Sequence, residues 1–163
     1  MLAAMTPAGR CAVLFVCTGN YCRSPTAEAV FAALVAAQQL ADRIHVDSAG
    51  THDYHVDEPP DPRTQAHARR RGYELAHLRG RQLEARDFEH FDLILVMDQA
   101  NLADLRVRFP DHPAHKVRYF LEWAPETGRQ EVPDPFYGEA RDFELVLDLV
   151  EAGARGLLAH LRP

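Results

Sequence analysis

The unbroken apolar run Ala12-Val13-Leu14-Phe15-Val16, followed at once by the polar stretch Cys17–Ser24 and by Pro25, constrains this chain more than any other feature. Successive side chains of a strand point to opposite faces, so a run that is apolar at every position is buried on both sides. Such a strand belongs inside a parallel sheet covered by helices. The polar stretch with Gly19 then reads as a loop, and Pro25 suits the first turn of a helix, where its missing N–H is not needed. Ala27–Leu40, with Val30, Phe31, Leu34 and Val35 on one side, predicts a helix packed back onto the sheet.

The same alternation continues. Arg43–Ser48 reads as a second strand and Ala49–Pro60 as an irregular loop. Asp61-Pro62 caps and starts a helix that Gly72 ends. Leu93–Met97 is a third buried strand, and Asp98 caps a helix through Phe109, stopped by Pro110. Val117–Leu121 predicts a fourth strand, Glu122–Tyr137 a long loop, and Arg141–Leu161 a closing amphipathic helix. The expected fold class is α/β: a single-domain, doubly wound sheet of about four parallel strands with helices on both faces. Ligands of such folds sit beyond the carboxyl ends of the strands, where Cys17 and Asp98 both fall.

Composition narrows the functions open to it. A chain of 163 residues suits one domain, read here as residues 11–163 behind a flexible extension over residues 1–10. A formal charge of −6 argues against nucleic acid as a partner, because phosphate backbones recruit clustered Lys and Arg. Any anion must be held by a local site instead of a diffuse basic field. Cys11, Cys17 and Cys22 stand near the start with no cysteine after them, which is not a secreted disulfide framework. No stretch approaches the ~20 apolar residues of a membrane span, and Met1–Arg10 lacks the apolar core of a signal peptide. A cytoplasmic location, no membrane partner, and a monomer or weak dimer are expected. His52, Asp53, His55 and Asp57 lie in a Pro-flanked loop and read as solvated side chains, so neither metal nor cofactor is expected. Arg69-Arg70-Arg71 reads as a solvated face at a helix end. Dinucleotide and nucleoside triphosphate glycine motifs are missing.

The loop Cys17-Thr18-Gly19-Asn20-Tyr21-Cys22-Arg23-Ser24 carries the chemistry. A tight turn between strand and helix directs several backbone N–H groups into one concave space. With the helix dipole, that nest binds a tetrahedral dianion without lysine. Arg23 adds a fork matching two phosphate oxygens. A thiol titrates near ~8.5, but helix N-termini and cations lower this to ~3.5–7.5, and Ser24 could donate to the resulting Cys17 thiolate. Read alone, the loop also fits an ordinary connector with Cys17 as a small apolar side chain. Asp134 lies between Pro133 and Pro135, which stiffen its loop enough to hold a general acid. Phe136 and Tyr137 beside it could line a slot for a substrate ring. Taken alone, that segment fits better a loop anchored by its aromatics, with Asp134 as a turn residue.

Val13–Phe31 closely resembles the signature of the low-molecular-weight protein tyrosine phosphatases. The likeness continues through Asp47-Ser48-Ala49-Gly50-Thr51, Pro59–Arg63, Phe91–Asp98, Asn101-Leu102 and Asp134-Pro135-Phe136-Tyr137-Gly138. The resemblance implies hydrolysis of phosphotyrosine in proteins through a cysteinyl-phosphate intermediate. Cys17 would be the nucleophile and Arg23 the clamp, with the amides from Thr18 to Ser24 around the phosphate and Asp134 as general acid, then base. Asn20, Ser24 and Ser48 match loop-bracing positions, Cys22 a redox partner of Cys17, and Tyr54, Phe136 and Tyr137 substrate walls. Tyr21 stands where relatives often carry a small aliphatic or Thr, Asp57 where many have Gly, and Leu78 where many have a bracing His, with His77 one place off. Rival readings are arsenate reduction, phosphoarginine hydrolysis and a non-catalytic phosphoprotein-binding module.

Overall fold

Val13, Leu14, Phe15 and Val16 have no exposed surface, because the strand they form lies between two others and under helices on both faces. In the computed structural model, which describes residues 9–162, the elements run in alternating order. They are β1 (Cys11–Cys17), α1 (Arg23–Ala37), β2 (Ile44–Gly50), α2 (Pro62–Arg70), α3 (Asp87–His90), β3 (Leu93–Val96), α4 (Gln99–Arg108), β4 (Val117–Tyr119) and α5 (Ala140–Leu161). Residues 1–8 of the expected N-terminal extension lie outside the described residues.

The sheet order is β2-β1-β3-β4 and every pairing is parallel. Alternation along β1 divides the core as a doubly covered sheet requires. Val13, Phe15 and Cys17 face α1 and α5 with Phe31, Val150 and Leu157, whereas Leu14 and Val16 face Phe88, Phe91 and Leu105 of the opposite layer. Cys17 pairs with Gly50 at the last rung of the β1–β2 register, so loop and nucleophile candidate emerge at the carboxyl edge of the sheet.

The structure departs from the sequence reading at several points, and four of them have a plain physical reason. Helix α1 starts at Arg23, not at Ala27. Arg23, Ser24 and Pro25 thus occupy the first turn, whose N–H groups have no intrahelical partner, and Pro25 loses nothing there. The fourth strand stops at Tyr119, where a 3₁₀ turn over Phe120–Trp123 swings Phe120 against Phe15, ring centroids 5.0 Å apart. The short helix α3 has no apolar periodicity to announce it, and Asp87 within it is held by Arg81. Arg71 is not part of a solvated face. It is drawn against α5 by Glu144, Asp148 and Glu151 at 2.8, 2.9 and 2.6 Å.

Candidate active site

Beyond the carboxyl ends of β1 and β3 lies a cavity of about 350 Å³ lined by Cys17, Thr18, Gly19, Tyr21, Cys22, Arg23, Tyr54, His55, Asp134, Phe136 and Tyr137. Its floor is the turn from β1 into α1. Among the described residues, the backbone N–H groups of Thr18, Gly19, Asn20, Tyr21 and Cys22 donate to no protein acceptor. Buried N–H groups are rarely left without a partner, so a run of them beside a helix start is a receptor for an anion. The turn is held open from outside: Thr51 N–H donates to Cys17 C=O at 2.9 Å, His52 N–H to Thr18 C=O at 3.0 Å, and Asp61 N–H to Tyr21 C=O at 3.0 Å. Gly50 packs so closely beneath that a Cβ there would meet Thr18 C=O at 2.8 Å and Asn20 N at 3.0 Å. No larger residue fits.

Asn20 sits at φ 53°, a left-handed conformation that Asn tolerates better than most residues. Its side chain keeps it there. Oδ1 accepts from Arg81 N–H at 3.0 Å, which fixes the amide orientation and leaves Nδ2 to donate to Ser24 Oγ at 2.8 Å and Ser48 Oγ at 2.9 Å. Ser24 Oγ, already an acceptor, lies 3.0 Å from Cys17 Sγ and 3.5 Å from Ala49 C=O, so its hydrogen can donate to a thiolate as the nearer acceptor. Bracing thus comes from the Arg81 backbone, while His77 is exposed. Thr18 Oγ1 accepts from Asn101 Nδ2 at 3.0 Å, tying the loop to the capping box of α4.

Arg23 is 2% exposed and reaches the cavity from below. Its Nη1 donates to Asp98 Oδ2 at 2.5 Å and to Val132 C=O at 3.0 Å. Burial alone would lower the guanidinium pKa, but Cys17, Asp98 and Asp134 outweigh it and the net direction is upward. Asp98 therefore caps α4 and anchors the arginine at once, a second role its sequence position does not announce. Asp134 Oδ2 stands 3.6 Å from Arg23 Nη2. Its loop is pinned by Val132 N–H to Met97 C=O at 2.9 Å, and Asp134 Oδ1 accepts from Phe136 N–H at 3.1 Å. The carboxylate stays half exposed and faces the cavity mouth.

Tyr54, Phe136 and Tyr137 line the cavity, and Tyr21 and His55 join them. Phe136 is partly buried, with the Arg63 guanidinium 5.5 Å from its ring centroid, and forms a fixed side. Tyr54 and Tyr137 line the cavity at its mouth but are 63% and 96% exposed. Beside Phe136, at 6.2 Å between ring centroids, stands Tyr21, itself stacked on His55 with centroids 3.7 Å apart and planes within 8°. His55 Nδ1 in turn lies 2.6 Å from Glu58 Oε2. Sequence reasoning placed Tyr21 on the loop rim and read His55 as solvated, since only the fold brings the two rings together. Asp57 adopts φ 66°, a left-handed conformation that Gly takes without strain. Cys11, Cys17 and Cys22 are free thiols, and burial pushes Cys22 up to about 12. Among the described residues, no group of three or more His, Cys, Asp or Glu side chains is placed to hold a metal.

A thiol at the rim of an amide nest, with a buried guanidinium beneath and a carboxylic acid above, makes this a cysteine-based site for a tetrahedral oxyanion ester. Comparison with known proteins makes the class specific. Residues 12–163 match the family model described as low molecular weight phosphotyrosine protein phosphatase, and the chain belongs to that family. A low molecular weight protein-tyrosine-phosphatase of Streptomyces coelicolor is 44% identical over 153 residues, covering 92% of this chain and 93% of that protein. The human low molecular weight phosphotyrosine protein phosphatase is 43% identical over 135 residues, covering 82% and 85%. The crystal structure of YfkJ from Bacillus subtilis superposes with a TM-score of 0.88 at 36% identity, covering 95% of this chain and 96% of that one. Among the described residues, no helix is long and apolar enough to cross a membrane.

Proposed function

We propose that this protein hydrolyses phosphotyrosine in tyrosine-phosphorylated proteins through a cysteinyl-phosphate intermediate. The observation that carries the reading is the run of unpaired amides from Thr18 to Cys22 around Cys17, closed by the buried Arg23 fork. Cys17 Sγ attacks phosphorus in line with the phenolic oxygen, and a P–S bond forms as the P–O bond breaks. The loop amides and Arg23 stabilise charge on the equatorial oxygens. Asp134 gives its proton to the departing phenolate, then takes one from the water that attacks the thiophosphate. The Ser24 hydroxyl, 3.0 Å from the sulfur, stabilises the thiolate as it leaves.

Substrate choice follows from depth. A ring held against Phe136, Tyr54 and Tyr137 at the cavity mouth places its phosphate on the loop amides, whereas a phosphoserine phosphate hangs too close to its own backbone to reach them. Arsenate reduction by a cysteine relay has no support, since no cysteine follows Cys22. The three free thiols suit a reducing, cytoplasmic setting.

The test compares kcat/KM on phosphotyrosine, phosphoserine, phosphoarginine and arsenate. A preference for phosphotyrosine of at least about 100-fold, which the loss of a filled aromatic slot would account for at ~1.4 kcal/mol per decade, is expected. Equal rates on phosphoserine would show that the walls do not select the ring.

A further inference from the structure

One partly buried carboxylate connects to the nucleophile without touching it. Glu28, on the second turn of α1, accepts from Ser48 Oγ at 2.6 Å. Ser48 Oγ accepts from Asn20 Nδ2 at 2.9 Å, the same amide nitrogen donates to Ser24 Oγ at 2.8 Å, and Ser24 Oγ lies 3.0 Å from Cys17 Sγ. Counting protons fixes the directions between Asn20, Ser48 and Glu28. Asn20 Nδ2 has two hydrogens and spends one on each serine, because its Oδ1 is engaged by Arg81 N–H. Ser48 must then direct its own hydrogen to Glu28, while the Ser24 hydrogen has two acceptors, the sulfur at 3.0 Å and Ala49 C=O at 3.5 Å, of which a Cys17 thiolate is the nearer and the charged one.

We propose that Glu28 is a positioning residue: its carboxylate, acting through Ser48 and Asn20, holds Ser24 as a hydrogen-bond donor to Cys17, so that protonating Glu28 lowers turnover. An ionised acceptor makes a bond roughly twice as strong as a neutral one and polarises the bonds behind it. When Glu28 is neutral, Ser48 is released to turn its hydroxyl. Asn20 then loses part of what keeps it in its left-handed conformation.

The charged groups facing Glu28 are few. Asp47 of β2 opposes its ionisation, and Arg81 favours it but is shared between Asp47 and Asp87 at 3.0 Å each. From the loop it meets only the uncharged Ser48–Asn20–Ser24 chain. Burial first, then Asp47, outweigh Ser48 and Arg81 and push the Glu28 carboxyl up to about 7. The switch therefore operates near neutral pH.

The inference rests on the phosphatase reading for its effect on rate, but its wiring is tested without turnover. In the full chain, ¹³C resonances of the Glu28 carboxyl and ¹⁵N resonances of the Asn20 side chain are followed across neutral pH. Wild type should show both moving with one midpoint. In Glu28→Gln the Asn20 signal should stay flat. In Ser48→Ala the Glu28 carboxyl should still titrate while Asn20 does not respond. Turnover at saturating nitrophenyl phosphate should rise on the order of 5-fold in wild type as Glu28 loses its proton, the gain of a charge-assisted over a neutral bond. Glu28→Gln and Ser48→Ala should both stay near the lower level, active but without that step. An Asn20 titration that survives in Glu28→Gln overturns the proposal. So does a wild-type rate that falls on deprotonation, which would mean that repulsion through space links Glu28 to the thiolate. A protein that turns over no phosphate ester at all would sink the phosphatase reading and leave the resonances to decide the relay.

Discussion

Replacing Asp98 by Asn keeps the size of the side chain and an oxygen able to cap α4, but removes the counter-charge of Arg23. The guanidinium is 2% exposed and its contact with Asp98 is 2.5 Å, so the variant leaves a buried cation with Val132 C=O and the more distant Asp134. Breaking a buried pair by removing one partner costs about 3–5 kcal/mol. The Asp98 side chain is 20% exposed, so part of its charge is screened. About 2–3 kcal/mol is therefore the expected loss. Asp98→Ala should lose about 1 kcal/mol more, because Asn101 N–H then loses the cap oxygen now at 2.8 Å. Urea unfolding reads both numbers. With a slope near ~2 kcal/mol per molar, Asp98→Asn should lower the midpoint by about 1 M. The same variant should lose about 10–100-fold in kcat/KM, since an unanchored fork no longer meets two phosphate oxygens together. A loss below about 0.5 kcal/mol, the range of ordinary surface changes, would refute the idea that Asp98 holds Arg23. Equal losses for Asn and Ala would remove the capping contribution.

Further perturbations separate the remaining roles. Asp134→Asn should slow phosphotyrosine about 10²–10⁴-fold, the usual reach of general acid catalysis, yet slow nitrophenyl phosphate far less in kcat/KM, since nitrophenolate departs without a proton; equal losses on both would exclude Asp134 as the acid. Glu28 is raised in the folded state from an ordinary value near 4.5 to about 7, so the native protein retains a proton that the unfolded chain releases. The stability this provides is complete below pH ~4.5 and is lost as pH rises through ~7. Glu28→Gln, which cannot titrate, should gain on wild type by about 2–3 kcal/mol between pH 5 and 8, since each pH unit separating the folded and unfolded titrations is worth ~1.4 kcal/mol. A constant difference in urea midpoints across that range would show that this carboxyl does not titrate there.

How much of this was legible in the sequence depended on distance along the chain. β1 and β3 could be read because burial on both faces leaves uninterrupted apolar runs. The loop from Cys17 to Ser24 could be read because nucleophile, amides and guanidinium are contiguous there, so their joint chemistry needs no tertiary contact. Asp134 was a candidate from its flanking prolines, but only family likeness favoured it over a turn residue, and no local sign gave its 3.6 Å approach to Arg23. What escaped are pairings between segments. Asp98 announced itself as a cap and hid its bond to Arg23. No local pattern singles out Glu28, and only the packing of α1 on the sheet brings Ser48 of β2 beside it. Tyr21 and His55 stack because their loops converge, and no periodicity encodes that. Arg71 is half-buried because α2 packs on α5, a contact between distant segments of chain.

The most direct measurement is on Cys17 itself. Mixing the protein with nitrophenyl phosphate and quenching in denaturant at alkaline pH within the first turnovers should trap one phosphoryl group per chain, and peptide mass spectrometry should place it on Cys17 as a thiophosphate. Cys17→Ser should carry none and release no nitrophenol above the rate in buffer, while unfolding as cooperatively as wild type. A phosphoryl group on any other residue, or nitrophenol released by Cys17→Ser at an appreciable fraction of the wild-type rate, would contradict nucleophilic attack by this thiol.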